Sequence, residues 1–178
     1  MNRKLKLNEL KRVSVEEFKT QKKLPIIVVL DNIRSLNNVG SFFRTSDAFN
    51  IEAVYLCGIT AQPPHREIQK TALGATESVE WKYFESTEQA LEVLKEKEFI
   101  VYAIEQTENP IYLQEFTYNL EKVALVFGNE VDGVGQNVVN LSKNSIEIPQ
   151  FGTKHSFNVS TSYGVVLWHL VNQSLKGL

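Results

Sequence analysis

Five short runs, rich in β-branched residues and most of them without polar alternation, constrain this chain most. They are Ile26–Leu30, Ala53–Leu56, Ile100–Ile104, Val123–Phe127 and Ser145–Ile148, with a weaker sixth near Val79–Tyr83. A strand with one wet face alternates apolar and polar residues, whereas a strand covered on both faces does not. The runs therefore predict a parallel sheet with helices on both faces. The segments between them predict helices over Val39–Phe49, Thr87–Lys97, Gln136–Leu141 and Asn158–Leu175, which places the chain in the α/β class. Gln62–Pro63–Pro64–His65 reads as an exposed loop. Within 178 residues there is no internal repeat and no linker long enough to mark a second domain. The expected organisation is a basic N-terminal arm over residues 1–23 and one domain over residues 24–178.

The arm holds eight Lys/Arg against three acids, a local charge of +5. The chain as a whole carries −2, so residues 24–178 carry −7. A polyanion would have to meet the arm or a local patch rather than the average surface. A solvated N-terminal helix is the other reading of the same residues. Cys57 is the only cysteine, and the three histidines stand far apart. That excludes an intrachain disulfide and a thiolate cluster, and no metal is expected. The longest uninterrupted apolar run, Phe99–Ile104, has six residues and falls far short of a membrane-spanning helix. The N-terminus shows no apolar stretch or cleavage site of a secretory signal, so a cytoplasmic protein is expected.

Ligands in open α/β sheets bind beyond the carboxyl ends of the strands, which directs attention to three loops. The first is DNIRSLNNVGSFFRTSDAF, where a strand runs into an Asn/Gly turn and a helix carrying Arg44. Free backbone N–H groups and a cation at a helix start suit a phosphate. Helix capping by Asn37 and Asn38 and an Arg44–Asp47 pair would explain the same residues structurally. The second is VFGNEVDGVGQNVV, with three glycines in eight residues. It fits neither a Walker A loop nor a dinucleotide fingerprint, because the Lys-Ser/Thr and the third glycine are absent. The third is IEIPQFGTKHSFNVSTSYG, in which Ser156 and Asn158 lead into a helix as N-cap candidates. Lys154 and His155 are candidate phosphate contacts there, and no nucleophile elbow surrounds Ser156.

In this order the segments NNVGSFFRTSDAF, FGNEVDGV and IPQFGTKHSFNVSTSYG resemble the three signature motifs of the SpoU/TrmH branch of the SPOUT RNA methyltransferases. KTALGA at Lys70–Ala75 is similar to the family as well. The resemblance covers Leu24 to the C-terminus. It implies a C-terminal deep trefoil knot on the parallel sheet, a homodimer, and methyl transfer from S-adenosylmethionine to a ribose 2′-hydroxyl of RNA. It further implies a catalytic set of Asn38, Arg44, Glu130, Ser156 and Asn158, and cofactor positions at Gly128, Ile148 and Phe157. Phe157 departs from the leucine more usual in the family. Short members without a large added domain are similar to tRNA-modifying enzymes, which favours tRNA over rRNA. The alternative is a non-catalytic RNA-binding module that keeps the knot.

Overall fold

The computed structural model describes residues 2–176. Seven strands form one sheet: β1 (Leu24–Asp31), β2 (Ile51–Cys57), β3 (Trp81–Phe84), β4 (Ile100–Ile104), β5 (Ile111–Tyr112), β6 (Val123–Gly128) and β7 (Asn144–Glu147). Their order is β3-β2-β1-β6-β4-β7-β5, and every neighbouring pair is parallel. Seven helices accompany them: α1 (Val15–Thr20), α2 (Leu36–Ala48), α3 (Arg66–Ala72), α4 (Ala75–Ser78), α5 (Thr87–Glu96), α6 (Gln136–Leu141) and α7 (Val159–Lys176).

The unbroken apolar runs are explained by two cores. Ile26, Val28 and Leu30 of β1 face a core shared with α2, α3 and α7, while Ile27 and Val29 face a second core with α5 and α6. Side chains alternate across a strand, so a strand buried on both faces must be apolar throughout. Short polar caps start the helices. Ser35 accepts from the Asn38 N–H at 3.3 Å and Ser86 from the Gln89 N–H at 3.3 Å, each satisfying a donor of the first turn. Helix α3 lies close against α2: a Cβ on Gly40 would stand 2.1 Å from Thr71 Oγ1 and 2.3 Å from the Ile68 carbonyl. Only glycine permits that approach.

Three of the five expected main strands reappear with extended ends, Ile100–Ile104 reappears with its expected bounds, and the weak run is displaced to Trp81–Phe84. The fifth, expected over Ser145–Ile148, runs Asn144–Glu147. Helices α3 and α4 and strand β5 have no counterpart in the sequence reading. Helix α3 offers only Ile68 and Ala72 as buried positions, too few for a helical period to emerge. Strand β5 is two residues long, and it lies at the sheet edge beside β7. The N-terminal arm is partly docked. Ser14 forms a capping box with Glu17, Phe18 is buried in the first core, and Lys23 Nζ lies 3.2 Å from the Phe18 ring centroid.

Three aromatic rings tie the three motif segments together. Phe42 of α2 stacks on Tyr163 of α7 at 4.5 Å between centroids, and Phe127 of β6 meets both edge-on at 5.4 and 5.3 Å. The Tyr163 hydroxyl bonds Ser46 Oγ at 2.8 Å, which satisfies a polar group in a wholly buried place. Such pairs add about 0.5–1.5 kcal/mol each beyond their burial. Truncating the central ring, Phe42→Ala, should cost roughly 3–5 kcal/mol, read as a lowered urea midpoint in equilibrium unfolding.

Candidate active site

Directly above the aromatic cluster, each motif contributes one polar side chain to a hydrogen-bonded chain. Glu130, in the loop after β6, accepts from Asn38 Nδ2 at 2.7 Å through Oε1. The same carboxylate accepts the N–H groups of Arg34 and Ser35 at 3.2 Å each, so it also fixes the turn that opens α2. Asn38 Oδ1 in turn accepts from Asn158 Nδ2 at 3.1 Å. Asn158 Oδ1 caps α7, taking the Ser160 and Thr161 N–H groups at 3.0 and 3.4 Å. Capping and site-building are thus one interaction at Asn158, and both amide ends of Asn38 are held.

The chain borders a cleft of about 560 Å³ at the carboxyl ends of β4, β6 and β7. Its apolar lining includes Ile104, Phe127, Ile146, Ile148 and Phe157. Its charged lining is acidic, Glu105, Glu130, Asp132 and Glu147, and neither Lys nor Arg is among the lining residues. Gly128, Ile148 and Phe157 all line the cleft, as do Glu130, Ser156 and Asn158. Asn38 joins through its bond to Glu130. Arg44 is exposed on α2 outside the cleft wall, with no ion pair among the described residues. Asp47 accepts instead from Ser78 Oγ, so no Arg44–Asp47 pair forms.

The glycine-rich loop after β6 is pinned from three sides. Asn129 Oδ1 accepts the Val131 and Asp132 N–H groups at 3.0 and 2.9 Å. Glu105 Oε2 accepts from Val134 N at 2.9 Å. Asp31, buried at the end of β1, accepts from Gly135 N at 2.9 Å and from Thr87 Oγ1 at 2.6 Å. A Cβ on Gly128 would fall 1.9 Å from the Gly133 carbonyl carbon, so the loop folds back onto its own strand. The sequence reading missed Asp31, Glu105 and Glu147. Their position at the carboxyl ends of strands was the available signal, masked because Glu105 and Glu147 carry no motif.

Burial pushes the Glu130 carboxyl up, but the bonds from Asn38 and the Arg34 and Ser35 N–H groups outweigh it and hold the group below its usual range. Glu130 is therefore an ionised holder of Asn38. Burial at the end of β2 pushes the Cys57 thiol up to about 12, which removes it as a nucleophile. Among the described residues no cluster of His, Cys, Asp and Glu has the arrangement of a metal site.

The model of the SpoU rRNA methylase family matches residues 25–168. The chain belongs to the SpoU rRNA methylase family. Among curated relatives, this SpoU-family chain is 29% identical to a tRNA (guanosine(18)-2′-O)-methyltransferase of Thermus thermophilus, over 94% of its own length and 85% of that protein. It is 30% identical to the 23S rRNA (guanosine-2′-O-)-methyltransferase RlmB of Vibrio cholerae, over 94% and 67%. Its fold matches the SpoU methyltransferase AviRb of Streptomyces viridochromogenes, solved in complex with AdoMet, with a TM-score of 0.80 at 18% identity. That alignment covers 90% of this chain and 65% of AviRb.

A carboxyl held low in the folded state stabilises above the ordinary carboxylate value and ceases to do so as pH falls through its lowered value. Wild type should therefore exceed Glu130→Gln in Tm at pH 6–8, with the gap closing below about pH 4. Thermal melts of both proteins across pH check this.

Proposed function

We propose that this SpoU-family protein transfers a methyl group from S-adenosylmethionine to a ribose 2′-hydroxyl of RNA, tRNA in preference to rRNA, in the cytoplasm and as a homodimer. The observation that carries the reading is the Glu130–Asn38–Asn158 chain at the rim of the cleft, with one residue from each motif, in a chain of a methylase family. The cleft suits the cofactor chemically. Its volume falls within the range of about 300–1,000 Å³ typical of small-molecule sites. Its apolar lining offers a place for adenine, and its carboxylates complement a cation. The sulfonium of the bound cofactor supplies the activated methyl group.

The protein's own residues then position the acceptor ribose, and positioning is a large share of the acceleration available to such a transfer. Asn38 is immobilised at both ends of its amide. Ser156 stands exposed at the cleft wall, a hydroxyl free to meet ribose or cofactor. Arg44 acts as a cation and planar donor fork on a substrate phosphate or the developing alkoxide, rather than as a base.

The dimer reading rests on α7 and on Arg44. Val165, Trp168 and Leu175 leave an exposed apolar stripe along α7, with Trp168 beside Phe49. Arg44 lies outside its own cleft wall, and a second copy gives it a cleft to serve. The knot reading rests on the path of the chain. Strand β7 lies beyond β4, whereas α7 packs on α2 and β6. The connecting segment therefore returns across the cleft, where Gln106 Nε2 donates to the His155 carbonyl at 2.7 Å. The tRNA reading follows the tRNA (guanosine(18)-2′-O)-methyltransferase of Thermus thermophilus, with which this chain aligns over 94% of its own length.

Labelled S-adenosylmethionine supplied with tRNA, and separately with rRNA, from cells lacking the gene tests the reaction. A 2′-O-methylated nucleoside in the tRNA pool is expected from nucleoside mass spectrometry; neither pool labelled overturns the proposal. Asn158→Ala should abolish transfer while lowering unfolding stability by no more than a lost cap, about 1 kcal/mol. Arg44→Ala and Asn158→Ala proteins, each inactive alone, should regain part of the activity when co-refolded, because mixed dimers assemble one intact site. No recovery would place Arg44 and Asn158 of one chain in the same site.

A further inference from the structure

Only part of the segment between Pro149 and Val159 lines the cleft. Gln150, His155, Ser156 and Phe157 line the cleft, whereas Phe151 and Lys154 are not among its lining residues. Phe151 is 96% exposed, the highest value among the large apolar side chains described. The segment that carries it is anchored: proline restricts its start, the Gln106 amide holds the His155 carbonyl at 2.7 Å, and Asn158 is fixed to Asn38 and to the first turn of α7. A Cβ on the adjoining Gly152 would meet no atom within 4 Å, so the space beside the ring is open.

Folding gives no account of a phenyl ring in this place, because a ring left in water contributes no burial. An exposed planar ring on a segment that carries a lysine three residues further on is, however, equipment that takes an unpaired nucleobase, with stacking on the ring and a phosphate on the cation. Two observations favour RNA as the occupant. The ring stands on the segment that walls the cleft, where a ribose has to be presented. The segment from Gln150 to Asn158 contains Lys154 and no acidic residue, in contrast to the acidic lining of the cleft itself, so a polyanion is accepted outside and a cation within.

We propose that Phe151 is a stacking platform for an unpaired base of the RNA strand that presents the target ribose, with Lys154 meeting its phosphate. This rests on the RNA methyltransferase reading of the cleft. It makes the substrate segment a loop or another unpaired stretch, because a base in a duplex keeps both faces within its own stack.

The test compares wild type with Phe151→Ala, Phe151→Leu and Phe151→Trp. Initial rates are measured with tRNA from cells lacking the gene. Binding is measured by fluorescence anisotropy with the same tRNA labelled with fluorescein, and with a fully paired RNA duplex. Phe151→Ala should raise KM for tRNA and weaken tRNA binding about tenfold, the scale of one stacked base, with kcat retained. Duplex binding and the dissociation constant for S-adenosylmethionine should not change. Phe151→Trp should restore KM and Phe151→Leu should not, since stacking needs a planar ring. An unchanged KM in Phe151→Ala, full rescue by leucine, or an equal loss on duplex would overturn the proposal. So would a change of oligomeric state on sedimentation, which would assign the ring to a contact with a second copy. If wild type bound no S-adenosylmethionine and transferred no methyl group, the reading of the cleft would fail, while the anisotropy comparison would still decide Phe151.

Discussion

The contact among Phe42, Phe127 and Tyr163 is the point from which the rest of the molecule can be understood. These residues come from α2, β6 and α7, far apart in sequence, and their rings pack within 4.5–5.4 Å of one another. Each stands close in sequence to a polar residue of the site: Asn38 one turn before Phe42, Glu130 three residues after Phe127, and Asn158 five residues before Tyr163. The aromatic layer therefore sets the spacing at which the polar layer can form, and bonds of 2.7 and 3.1 Å need that spacing held to a few tenths of an ångström. Close-packed rings hold it because an interior at crystal-like density transmits displacement instead of absorbing it.

The glycine-rich loop solves a different problem. The loop buries Val134 in the second core but leaves Val131 exposed, so much of its order comes from its backbone groups. Asp31 and Glu105, both at carboxyl ends of strands, accept the N–H groups of Gly135 and Val134, while Asn129 takes two more. The rigid sheet is extended by side chains into the loop, and Glu130 is carried to Asn38 on that extension. The cost is charge: these acceptors contribute to the negative balance of residues 24–178. That balance suits a cationic cofactor in the cleft and confines polyanion contacts to local cations such as Arg44 and Lys154.

Much of this was legible in the residues. The runs Ile26–Leu30 and Val123–Phe127 announced strands buried on two faces, and Gln136–Leu141 is a helix within the bounds its pattern gave. Asn158 was readable as a cap and, by motif, as a site residue; the structure makes the two one role. Helix α3 was not legible, because its burial is local to Ile68 and Ala72 and its position depends on the bare backbone of Gly40. Strand β5 was not legible either, since two residues beside a neighbouring strand carry no period. Glu105 and Asp31 escaped notice for a related reason: their partners are backbone N–H groups of a loop distant in sequence, and no motif encodes such pairs.

One-dimensional pattern suffices for the class of fold and the family, because hydrophobic period and motif order are properties of the chain itself. It also sets which residue types are available for the site. Their use is set by packing in three dimensions: Glu130 is spent holding Asn38, Arg44 stands outside its own cleft, and Phe151 faces solvent. Those outcomes depend on distances between segments up to about 120 residues apart, and such distances follow from packing α2 and α7 on one face of a single sheet, which no local pattern encodes.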